Sequence, residues 1–88
     1  MKIKSGYLKR IIADTCVVIP IGERVIDFKG IITLNEIGQF IWDKLDEETS
    51  YEDLLHSILS EYDVSEESAK PDLDNFLEDA RRLGVLEI

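Results

Sequence analysis

The sequence predicts an α+β fold in which a three-stranded antiparallel sheet is followed by three helices packed on one of its faces. Two observations lead there. The apolar residues of the first half fall in short β-branched runs, whereas those of the second half recur at helical spacing. Charge divides at nearly the same place: residues 1–42 hold six bases and four acids, and residues 43–88 hold four bases and fifteen acids, so the halves stand near +2 and −11. With 88 residues in all, one shared core is expected, and residues 1–88 are read as a single domain.

Residues 7–13 and 16–21 are the first two strands, joined through Asp14 and Thr15 as a hairpin. Gly22 opens a connection in which residues 25–28 have weaker strand character, and Lys29 with Gly30 makes a second turn. The run Ile31, Ile32, Thr33 and Leu34 is the third strand, and alternation puts Ile32 and Leu34 on one face with Ile31 and Thr33 on the other. Asn35 caps a first helix over residues 36–45, in which Ile37, Phe40, Ile41 and Leu45 share a face. Thr49 with Glu52 is read as a capping box for the second helix, whose stripe is Tyr51, Leu54, Leu55, Ile58, Leu59 and Tyr62. Ser65 caps the third, with the stripe Ala69, Leu73, Phe76, Leu77, Ala80 and Leu83, and Gly84 ends it. Pro71 lacks an N–H, which predicts either a kink or a true start near Lys70. Val85 and Leu86 should fold back over the core.

Composition narrows the chemistry. A net charge of −9 repels polyphosphate backbones and anionic membrane surfaces, and residues 66–82 carry six acids against Lys70, Arg81 and Arg82. If the fold were a winged helix, its third helix would be repelled from the major groove, so no nucleic-acid role is expected. No apolar run reaches the ~20 residues of a membrane span, and the first ten residues have no signal-peptide core, so a cytoplasmic protein without membrane contact is expected. One cysteine, Cys16, and one histidine, His56, supply neither a disulfide, a zinc set nor a nucleophile–base pair. Cys16 is read as a packing residue, His56 as solvent-facing and Trp42 as a partly buried aromatic. The acids of residues 43–48 lack the spacing of a calcium loop, and solvated helix faces account for the charge. No catalytic residue, metal or cofactor is therefore assigned.

The third strand carries no charge, and in the order one, two, three it lies at an edge with open N–H and C=O groups. Beside an amphipathic third helix, such an edge suits capture of an extended peptide by strand addition, while the alternative is a structural or regulatory homodimer pairing through the same edge.

An ordered set of segments resembles the PqqD-like domains, also called RiPP recognition elements. They are Gly6-Tyr7-Leu8, Val17-Val18-Ile19-Pro20, Ile32-Thr33-Leu34-Asn35 with Glu36-Ile37-Gly38 and Phe40-Ile41-Trp42, the stretch from Thr49 to Leu54-Leu55, and Phe76-Leu77 with Leu83-Gly84-Val85-Leu86. The resemblance implies a winged-helix-like fold and a non-catalytic, stand-alone adaptor that binds the leader of a ribosomal precursor peptide. The leader would add as a strand beside Ile31, Ile32, Thr33 and Leu34, next to Gly30, and would face Asp72, Phe76, Asp79, Ala80 and Leu83 on the last helix. It also implies a modifying enzyme as partner, such as a radical SAM maturase or a leader peptidase. Any iron–sulfur cluster would belong to that enzyme, since one thiol stands here where a cluster needs about four. Two departures stand out: a longer connection over residues 23–29, and acids on the groove side, which Lys29, Arg81 and Arg82 are the nearest bases to answer.

Overall fold

The structure is a computed structural model that describes residues 1–27 and 30–87. Its elements run β1 (Lys2–Ile3), β2 (Tyr7–Ile12), β3 (Thr15–Pro20), α1 (Arg24–Asp27), β4 (Ile32–Leu34), α2 (Glu36–Lys44), α3 (Tyr51–Glu61), α4 (Glu66–Leu83) and β5 (Leu86–Glu87). The three-stranded sheet has the order β2-β3-β4, antiparallel throughout, with α2, α3 and α4 following it as the sequence predicts.

Tight turn chemistry sets the hairpin register. Ala13 and Asp14 both take positive φ, 50° and 65°, the geometry that matches the twist of two-residue hairpins, and Ile12 then pairs with Thr15, so the turn falls one residue earlier than the expected Asp14 and Thr15. Along β3, Cys16 and Val18 point into the core and pair with Leu34 and Ile32 of β4. Leu34 is buried, Ile32 half-buried, and Thr33 and Ile31 exposed, as period-two alternation requires. Helical stripes close the other side: Ile41, Leu45, Leu54, Ile58, Leu73 and Val85 are almost fully buried beside Val18. Trp42 joins this core at 6% exposure, and its ring meets that of Tyr7 edge-on at 6.3 Å. Cys16 is buried as a packing residue, and His56 is exposed.

Asn35 caps α2 by accepting from the Gly38 N–H at 2.7 Å, and Ser65 caps α4 by accepting from Ser68 at 3.2 Å. Gly84 ends α4 in the left-handed conformation at φ 76°, which a β-carbon would strain.

Three further expectations need correction, and a fourth gains detail. The cap of α3 is Ser50, which accepts from Asp53 N–H at 3.1 Å; Thr49 instead donates its own N–H to the Met1 carbonyl at 3.0 Å, so the terminal strand holds it out of the capping position. Pro71 neither starts nor interrupts α4, which runs from Glu66. The missing N–H orphans only the carbonyl of Glu67 on an exposed face, and buried Ala69 and Leu73 anchor the turns on either side. Residues 24–27 form the short helix α1 and not a strand. The N–H groups of Arg24 and Val25 bond to Ile21 and Gly22, while the Arg24 side chain donates to the Ser5 carbonyl at 2.9 Å and lies over Tyr7. That clamp outweighs a weak β preference; Phe28 and Lys29 of the same connection lie outside the described residues. Finally, Val85 and Leu86 do cover the core, but they do so as part of a second sheet, β1 with β5, pairing Ile3 with Leu86.

Candidate functional site

Among the described residues β4 pairs only with β3, so its other edge is open. That edge faces α4 across a groove, and two adjoining cavities fill the space between them. The larger, of about 420 Å3, lies toward the start of α2, and the smaller, of about 140 Å3, lies toward the end of α4. Thr33, Leu34, Phe76 and Asp79 line both, so the half-buried Phe76 ring is a shared wall.

Helical spacing explains what α4 contributes. Asp72, Asn75, Phe76 and Asp79 stand at i, i+3, i+4 and i+7 on the face toward the larger cavity, and Ala80 and Leu83 extend that face along the smaller one. From the other wall, Leu34, Ile37 and Ile41 make an apolar floor for the larger cavity. Gly38 lines it without a side chain; a β-carbon there would stand 3.1 Å from Asn35 Oδ1 and 3.5 Å from the Leu34 side chain. Trp42, Val85 and Ile32 floor the smaller cavity.

The charges on this face are not equivalent. Asp79 is held by Arg82 at 2.9 Å, both well exposed, which leaves that pair near neutral. Asp72 is exposed and has no hydrogen-bond or ion-pair partner among the described residues. Arg81 is exposed but lines neither cavity, and Lys29 lies outside the described residues.

Of the residues singled out from sequence, the structure brings together Ile32, Thr33, Leu34, Asp72, Phe76, Asp79, Ala80 and Leu83 on the groove. Ala80 is buried, so it shapes the smaller cavity from below. Gly30 and Ile31 precede β4 and line neither cavity; Gly30 takes φ 123° and Ile31 is 62% exposed. Sequence reasoning missed Asn35, Ile37, Gly38, Ile41 and Asn75 in the larger cavity, and Trp42 and Val85 in the smaller, where Arg82, read from sequence as a base near the groove, also stands. Asn75 was recoverable from the helical period, lying three residues beyond Asp72. Trp42 and Val85 were assigned to core alone, and they serve both.

Elsewhere, no group of three His, Cys, Asp or Glu among the described residues is arranged to hold a metal ion. No described helix is long and apolar enough to cross a membrane.

The family model described as coenzyme PQQ synthesis protein D, PqqD, matches residues 16–86. The solved structure of TbiB1 in complex with the TbiA(beta) leader peptide is similar over 99% of this chain and 95% of its own, at 26% identity and a TM-score of 0.75. No curated protein sequence matches the chain.

Proposed function

We propose, from the premise that this chain belongs to the PqqD family, that residues 1–88 act as one RiPP recognition element, a non-catalytic adaptor that binds the leader of a ribosomal precursor peptide and presents it to a modifying enzyme. The observation that carries the reading is the open edge of β4 facing α4 across a groove. An extended peptide there gains main-chain hydrogen bonds from the edge and side-chain pockets from the helix, the two components of strand addition. The similar TbiB1 fold, solved in complex with a leader peptide, supports a peptide occupant over self-pairing.

Presentation, and not turnover, suits the residue inventory. The single thiol of Cys16 is buried, in register with Leu34, and the single imidazole of His56 is exposed on α3, so the two are not a working pair at the groove. Cofactor chemistry belongs in this reading to the enzyme partner, a radical SAM maturase or a leader peptidase acting in the cytoplasm.

The test is an amide chemical-shift titration with synthetic leaders taken from short reading frames beside the gene. Shifts are expected at residues 30–34 and 72–83. Proline replacements give the backbone control: Ile32→Pro and Thr33→Pro remove alternate N–H groups, one facing β3 and one facing the groove. The groove-facing replacement should keep the fold and lose the peptide, while Thr33→Val should keep both. Shifts centred on α3, or an edge already protected in a homodimer, would overturn the reading.

A further inference from the structure

The two cavities differ in chemistry, and their order along β4 converts that difference into a sequence preference. The larger extends past the C-terminal end of β4 to Asn35 and Ile37, whereas the smaller reaches back to Ile32 at its start. Side chains on one face of a strand recur every second residue, about 6.6 to 6.8 Å apart, so adjoining pockets on one side of an added strand take residues i and i+2. An added strand continues the pattern of the sheet best when antiparallel, since every pairing in it is antiparallel and that ladder is the slightly more stable one. Such a strand meets the larger cavity first and the smaller one two residues later.

The larger cavity has the apolar floor of Leu34, Ile37 and Ile41 and, at its rim, the carboxylate of Asp72, which has no partner among the described residues. This combination fits a side chain with a long apolar stem and a cationic head, which lays its methylenes on the floor and its charge against the acid. The smaller cavity, floored by Ile32, Trp42 and Val85 and walled by Ala80, fits a branched aliphatic. Resting on the peptide-capture reading above, we infer that the groove selects a leader segment of the form basic, any residue, aliphatic, read from N- to C-terminus, and that Asp72 is its specificity-determining residue. An acidic residue at the first position meets Asp72 at close quarters with no free base lining either cavity among the described residues, because Arg82 is engaged by Asp79.

The probes are capped peptides of a common Ser, Thr and Val host carrying Lys-Thr-Leu, Glu-Thr-Leu or Leu-Thr-Lys at the centre. Each is titrated while the amides of Ile31, Ile32, Thr33 and Leu34 are followed. Lys-Thr-Leu should bind about tenfold more tightly than Glu-Thr-Leu, the sum of one exposed attraction gained and one repulsion avoided, and added salt should narrow the gap. Leu-Thr-Lys, with the order reversed, should fall below Lys-Thr-Leu. Asp72→Asn should reduce the Lys over Glu preference, and Asp72→Lys should invert it; the site is exposed and unpaired among the described residues, so both variants should fold. If none of the peptides moves the edge amides, peptide capture itself fails. If all bind there equally, or Asp72→Lys leaves their order unchanged, capture stands and the selectivity is wrong.

Discussion

Helix α4 borders two crevices of similar size that differ in what lies opposite. On one side stands the groove against β4, whose larger cavity is about 420 Å3; on the other stands a crevice of about 460 Å3 against α3, lined by Tyr51, Leu55, His56, Leu59, Glu66 and Lys70. Both have apolar floors and acids at the rim. Only the β4 side offers an open strand edge, because the backbone of α3 is consumed by its own helical hydrogen bonds. Volume therefore does not separate a peptide site from a surface hollow here. Unsatisfied main-chain donors and acceptors do, since they can bind a strand whatever its side chains.

The comparison is broken most severely at Trp42, which joins the floor of the smaller groove cavity to the core. Trp42→Ala removes a ring that is 6% exposed and packs against Tyr7, and should lower unfolding stability by about 3 to 5 kcal/mol, read from the denaturant midpoint. The aromatic of the α3 crevice, Tyr51, should cost less when truncated, because it is only half-buried. An unchanged midpoint with lost peptide binding would make Trp42 a surface anchor and dissolve its structural role.

A matched pair sharpens the contrast. Phe76 and Leu59 are both half-buried against the core, one in the groove and one in the α3 crevice, so truncating either to Ala should cost on the order of 2 kcal/mol. Their effects on peptide binding should diverge. Phe76→Ala merges the two groove cavities and should weaken binding about tenfold or more, whereas Leu59→Ala should leave affinity within about twofold. Equal losses would mean that the peptide senses general stability and not the groove.

How much of this was legible in sequence depends on the range of the signal. The hairpin, the caps Asn35 and Ser65, the αL end at Gly84 and the helical stripes are local patterns, and the structure carries them with the turn one residue earlier and Leu83 exposed at the end of its stripe. The pairing of β1 with β5 joins the two ends of the chain through strands of two residues, too short to display any alternation. The shift of the α3 cap from Thr49 to Ser50 is likewise tertiary, set by the Met1 carbonyl. Within the groove, β4 and the α4 face were readable because one is uncharged and the other periodic. The α2 contribution was not, since Ile37 and Ile41 read as core whichever way the helix is placed. Whether a cavity opens above them depends on the approach of α4.

The smallest effect tests the silent side of the comparison. Across the α3 crevice, the Tyr51 hydroxyl donates to Asp74 Oδ1 at 2.6 Å, and this bond, followed by desolvation and the charges of Asp74 and Glu66, holds the phenol above its ordinary value of 10.0. Because the folded value is raised, the stabilising contact is fully present below the ordinary tyrosine range and is lost as pH climbs through the raised value. Ultraviolet titration of the wild type minus Tyr51→Phe should isolate a phenolate that forms above pH 10.0, and Asp74→Asn should draw that component downward. A component at or below the ordinary value would refute the contact. Asp74 lines neither groove cavity, so Tyr51→Phe should leave peptide affinity unchanged; a changed affinity would mean that the α3 crevice, despite its closed backbone, communicates with the groove through α4.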